Sequence, residues 1–403
     1  MKTKLLVSCI LFVSIMLLFN ACSDDDNVIK KTAVTVQLKN PEGISSSTLT
    51  DISISLKEAN TGKTTQLSDL SGSEFTIELE AGTYDATLEG KISYTAEGNT
   101  VDTQVRAYKE SVTVIGETLT ASFDLFIYAA DKAGFVIQEV NFAGSLTNEG
   151  KQTFDQYFKI YNNSDEVLYA DGLFIAQSQF SSIEKYDYSP NIMNEALTIS
   201  AIIVVPGSGT DHPIQPKESF IVAIDGINHK ELNSNSIDLS IADFEIVTEH
   251  PTMEDNDNPE VPNMENVLNH MIIHNQGFKA YALGRLGVSV EKYLSDYVYT
   301  CTWVFAFEEW EFDEEDDYYK LPNEWIMDAV NLSIESDFQW IVTAPTLDMG
   351  WTYCAKGFGD ATRYGKSVIR KVAGKTPEGA DILMDTNNSK VDFTPAATPS
   401  LKK

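Results

Sequence analysis

The chain has 403 residues, too many for one ordinary domain and suited to two or three. Apolar residues make up 43% and charged residues 22%, which excludes a chain disordered over most of its length. Asp and Glu total 60 against 29 Lys and Arg, a formal charge of -31. A surface that acidic repels phosphate backbones and argues against a nucleic-acid partner.

The amino end reads as an export signal. Lys2 and Lys4 form a basic start, residues 5–18 an apolar run broken only by Ser8, Cys9 and Ser14, and Phe19-Asn20-Ala21-Cys22 follows. The run is shorter than the roughly 20 residues a spanning helix needs. Cys22 after Ala21 resembles a bacterial lipobox. The resemblance implies cleavage before Cys22 and a diacylglycerol on its sulfur; the alternative is an ordinary cleaved secretory peptide. Ser23-Asp24-Asp25-Asp26 is similar to the acidic stretch that directs Bacteroidetes lipoproteins to the outer face of the outer membrane; otherwise it is a solvated linker. No later run is long and uncharged enough to span a bilayer, so the body is expected to be tethered. The expected layout is a signal at 1–21, an acidic tether at 22–31, a β domain at 32–130 and a larger β domain at 131–403.

Period-2 alternation opens the first domain. Val34, Val36 and Leu38 alternate with polar residues, as do Ile52, Ile54 and Leu56, then Phe75, Ile77 and Leu79, then Tyr84, Ala86 and Leu88. Val112 and Val114 follow, then Leu119, Ala121, Phe123, Leu125 and Ile127. Turn chemistry separates the strands at 40–43, 60–62, 71–72, 81–82 and Gly90. These features predict an all-β fold, here a sandwich of about seven strands. The stretch from Phe75 to Gly90, with its Ala-Gly-Thr-Tyr turn, resembles transthyretin-like or carboxypeptidase-regulatory-like modules. The resemblance implies a hairpin in a spacer or binding platform and no activity.

The second domain opens with strands near residues 135–144, 155–162 and 165–176. Their order resembles a lamin-tail-type β-sandwich, with Asp171-Gly172-Leu173 where that fold usually carries Trp. Residues 367–370, 385–389 and 399–401 are similar to its closing strand and terminal region, so 180–360 reads as elaboration. Leader and domains together resemble an uncharacterised Bacteroidetes outer-membrane lipoprotein family, which implies no established activity.

Candidate chemistry is sparse. Residues 308–317 hold eight carboxylates in ten positions, around Trp310 and Phe312. Glu308, Glu309, Glu311, Asp313 and Glu314 are the candidate ligands for Ca²⁺, a hard cation that takes several oxygens; the alternative is a solvated acidic loop. A second oxygen-rich stretch, 254–260, reads as a plain loop. His270 and His274 share a face on a helix, but Met271 stands where a metalloprotease would have Glu, and the segment reads equally well as a strand. His212, His229 and His250 are scattered. Ser208 lacks a nucleophile-elbow frame, and no phosphate loop is present. All five Trp follow residue 302; Trp310, among acidic neighbours, is the candidate ligand-binding ring. Cys301 and Cys354 are either a disulfide or two buried thiols. The expected function is a non-enzymatic binding or accessory module at the cell surface, by family analogy for a TonB-dependent importer. The alternatives are a hydrolase with a site in 180–360 and a structural or adhesive module.

Overall fold

The computed structural model describes residues 31–402, apart from 42–43, 97–98, 129–133, 248–255, 308–309 and 377. The leader, Cys22 and the acidic stretch behind it therefore lie outside the described residues. The fold is all-β and multi-sheeted. It divides into two compact units on either side of the Leu125–Phe126 bond.

In the first unit, Glu74–Glu80, Lys31–Lys39 and Thr118–Asp124 form one sheet, with the last pair parallel. A second, antiparallel sheet runs in the order Thr64–Leu70, Ser47–Glu58, Gly82–Ala96, Asn99–Val114. The expected alternation places Val34, Val36, Ile77 and Leu79 in one core with Ile52, Ile54, Ala86 and Leu88. Two bulges interrupt it. Asp51 and Ser111 take positive φ (53° and 55°), so the buried pairs Leu49/Ile52 and Ala107/Val112 point inward despite non-alternating spacing. Gly90 is not at a turn. It lies inside a strand opposite the first bulge, where a Cβ would come within 3.1 Å of Ile52 Cγ1. The Tyr84 hydroxyl donates to the Glu80 carbonyl at 3.0 Å and fastens the turn between them.

The second unit packs two sheets face to face. One runs Phe244–Glu245, Ser219–Ala223, Tyr157–Asn162, Phe135–Asn141, Ser367–Arg370, Phe393–Ala397. The other runs Val298–Phe307, Trp310–Pro322, Ala196–Val204, Leu173–Ser178, Ala280–Arg285, Ile326–Asn331. Phe135, Ile137, Phe158 and Ile160 of the first meet Leu173, Ile175, Ile203, Tyr281 and Leu283 of the second. The second sheet is also covered on its far face: Phe174, Leu197, Ile199, Ile202 and Ala282 pack with Leu347 and with Tyr293 of the helix Val290–Asp296. Double burial explains why its inner strands read as continuous apolar runs. Residues 180–360 are thus no appendage; they supply strands to both sheets.

The chain is closed by a buried charge network. Arg370 Nη2 donates to Asp328 Oδ2 at 2.5 Å, and Asp385 and Asp392 lie 3.3 and 3.7 Å from Nη1. Asp328 Oδ2 accepts from Ile137 N (2.6 Å) while Arg370 Nε donates to Ile137 O (2.8 Å), so one ion pair ties both sheets to the strand Phe135–Asn141. Removing one partner leaves a buried charge uncompensated, which costs about 3–5 kcal/mol. Arg370→Leu is therefore expected to lower unfolding free energy by that amount, read as a shift of the urea midpoint; a change near zero would show that the network does not hold the closure.

Candidate functional site

From Trp310 onward the acidic run is a strand, not a loop. Trp310–Pro322 pairs antiparallel with Val298–Phe307 from Phe307↔Trp310 to Val298↔Tyr319. Only its last four residues, Tyr319–Pro322, pair with Ala196–Val204. The hairpin beyond them is a two-stranded ribbon, roughly 30 Å long at about 3.3 Å per residue.

Strand geometry sorts the ribbon into two faces. One face carries the cross-strand pairs Phe305/Phe312, Trp303/Glu314, Cys301/Asp316 and Tyr299/Tyr318; the other carries Ala306/Glu311, Val304/Asp313, Thr302/Glu315 and Thr300/Asp317. The first face is aromatic. Trp303 stacks on Tyr318 with centroids 6.0 Å apart, and Phe305 meets Phe312 at 6.3 Å. A loop covers its lower part: Tyr188 contacts Trp303 (6.0 Å), Tyr186 contacts Phe305 (6.2 Å), and Tyr188 stacks on Phe180 (3.9 Å) and Trp340 (5.9 Å). Ser189 seals this loop to the edge through paired backbone bonds with Thr302 at 2.9 and 2.8 Å. Toward the tip the cover ends. Trp310 is 62% exposed and Phe312 46%.

The second face is acidic and open. Glu311, Asp313, Glu315 and Asp317 sit about 7 Å apart along the strand, and each adjacent pair repels by about 0.6 kcal/mol in water. No described cation pairs with any of them; Asp317 accepts a hydrogen bond from Thr300 Oγ1 at 2.7 Å. Glu314 lies on the opposite face from Glu311 and Asp313, so the pleat divides the proposed calcium ligands instead of converging them. Glu308 and Glu309 lie outside the described residues. Among the described residues, no group of three His, Cys, Asp or Glu is placed to hold a metal.

The other candidates have structural employment. Cys301 lies against Tyr299 and Ser189, and Cys354 lies in the core between the sheets; both are free and buried, so the possible disulfide is not formed. Trp325 packs on Tyr297, and Trp351 stacks on Phe338 at 5.1 Å. His212 packs edge-on against Phe244 at 4.9 Å. His270 lies just after a strand, with Nδ1 3.1 Å from Asn266 Nδ2. Ser208 donates to Asp211 in an exposed turn. Buried carboxylates are saturated by fixed donors. Asp155 takes Ser145 N, Ser145 Oγ and Ile237 N, and Asp348 takes Asn331, Ser389 and Gly350. Burial pushes the Asp171 carboxyl up, but the amides of Asp211, His212 and Gly209 outweigh it and bring it to about 2. A cavity of about 520 Å³ in the first unit is lined by Lys31, Glu58, Lys63, Glu80 and Tyr84. Hydrogen bonds from Thr61 hold Glu58 at about 2, far too acidic to donate a proton near neutrality.

His274 is held neutral. Burial, then Lys279 and Arg363, lower it from 6.5 to about 4. A depressed folded value means that stability is full above pH 6.5 and is lost as pH falls through 6.5 toward 4. The loss at this site is on the order of 3 kcal/mol. Unfolding free energy measured against pH should fall less steeply below pH 6.5 in His274→Phe than in the parent; identical slopes would contradict the assignment.

Residues 215–400 match the model of a family described as "Protein of unknown function (DUF4876)"; the segment lies within the second unit and contains the ribbon. None of the curated proteins matches the chain. The crystal structure of a DUF4876 family protein from Bacteroides thetaiotaomicron VPI-5482, at 2.50 Å resolution, is similar with a TM-score of 0.53 and 21% identity. The likeness covers 92% of this chain and 97% of that one, and it is a likeness of fold.

Proposed function

We propose that the protein is a non-enzymatic binding or accessory module, held by a lipid at Cys22 on the outer face of the outer membrane. Its contact element is the ribbon 298–322, and its partner is a TonB-dependent receptor that imports nutrients. On this reading the first unit is a transthyretin-like or carboxypeptidase-regulatory-like spacer, and the second is a lamin-tail-type sandwich that presents the ribbon.

One observation carries the choice of a binding module: Trp310 and Phe312 are given to solvent at the end of an otherwise packed aromatic row. A large apolar ring costs free energy in water and adds nothing to the core from there. The buried carboxylates Asp155 and Asp171, by contrast, are committed to fixed backbone donors, and those of the ribbon are spread along an open strand. The Lys2/Lys4 leader, Ala21-Cys22 and the acidic residues 24–26 support the placement.

Two measurements test the reading. Metabolic labelling with palmitate should mark the parent and not Cys22→Ser, with the variant released from the membrane fraction; an unlabelled parent that keeps its leader sinks the placement. Affinity capture from solubilised outer membranes should recover a receptor identified by mass spectrometry as TonB-dependent. Recovery should drop at least about tenfold with Trp310→Ala/Phe312→Ala at unchanged melting temperature. Equal recovery by the variant would remove the ribbon from the role.

A further inference from the structure

The ribbon ends the sheet with an unusual edge. Val298–Phe307 reads Val-Tyr-Thr-Cys-Thr-Trp-Val-Phe-Ala-Phe, with no charged residue, no Pro and no Gly, and it is the terminal strand of its sheet. Natural edge strands are blunted with Lys, Pro or bulges, because their free N–H and C=O groups template pairing. Here nothing on the edge strand does this, and the pairing with Trp310–Tyr319 shows no bulge. Backbone groups point alternately to the two sides of a strand. Thr302 points outward, since both its backbone groups bond Ser189. Val304 and Ala306 therefore point outward as well, beyond the end of the Ser189 bridge, and Val304 and Ala306 are exposed.

We propose that this open edge, from Val304 toward the tip, receives an extended lysine- or arginine-rich polypeptide segment as an added strand. The proposal rests on the ribbon being the contact element and names what the ribbon takes. Charge selects the occupant. A strand added beside 303–307 lies about 10 Å from Trp310–Asp317, within one Debye length of its carboxylates. Those carboxylates have no described cation of their own, so basic side chains on the open face approach Glu311, Asp313 and Glu315. Basic side chains on the other face lie toward Trp303, Phe305 and Trp310, where a guanidinium stacks well. The same carboxylates repel a second copy of this chain, whose formal charge is -31.

The test is titration of the intact protein with synthetic peptides of alternating lysine and valine, followed by Trp fluorescence and calorimetry. Binding should be at least about tenfold tighter than for the glutamate/valine analogue and should weaken steeply with salt. Backbone N-methylation along one peptide edge should abolish it, as should Glu311→Gln/Asp313→Asn/Glu315→Gln/Asp317→Asn, a variant with no change in buried groups. Equal affinity for both peptides, indifference to N-methylation, tighter binding of a neutral polysaccharide, or concentration-dependent dimerisation through the ribbon would each overturn the proposal. Receptor capture that depends on Trp310 while the lysine peptide fails would overturn the edge assignment alone. Peptide binding without receptor capture would overturn only the membrane partner.

Discussion

Burial of one sheet on both sides is the constraint from which the rest follows. Leu173, Ile175, Ile203 and Leu283 are covered by the opposing sheet, while Phe174, Ile202 and Ala282 are covered by Tyr293 and Leu347. A sheet with both faces taken meets solvent only at its edges. The ribbon 298–322 is that edge extended into water, which is why exposed aromatic and acidic groups concentrate there and not over the sheet. The two-residue periodicity of its strands then does the sorting, placing rings on one side and most of the acidic charge on the other.

The interior of the second unit uses its charges differently. Arg370, Asp328, Asp385 and Asp392 meet in a largely buried site and bind the closing segment to the strand Phe135–Asn141. Asp155 and Asp171 hold loops by collecting backbone amides. The buried acidic residues of this unit thus organise turns and closures within the fold, while those of the ribbon are left in water.

The first unit was largely legible because its strands are half-buried, so alternation reports their faces directly. Its exceptions have a local cause: positive φ at Asp51 and Ser111 shifts the alternation, and Gly90, read as a turn, stands inside a strand where a Cβ would crowd Ile52 at the bulge. The second unit was less legible because double burial erases alternation, so Ala196–Val204 and Ala280–Arg285 read as apolar runs that no periodicity could place. The acidic run resembled a loop because charge repulsion favours water. What decides its conformation lies before it, in the β-branched and aromatic strand Val298–Phe307, whose pairing outweighs that repulsion. Trp310 was readable as an exposed ring from its acidic neighbours. The outward-facing edge was not, since it depends on Ser189, more than a hundred residues away in sequence, bonding Thr302 and no further.

Residue-resolved amide hydrogen exchange along Val298–Phe307 tests the central claim most directly. Trp303 and Phe305, whose amides face the partner strand, should be protected, while Val304 and Ala306 should exchange nearly as fast as free peptide. Uniform protection across all four would mean that the edge is already occupied, and the account of the ribbon as an open acceptor would fail.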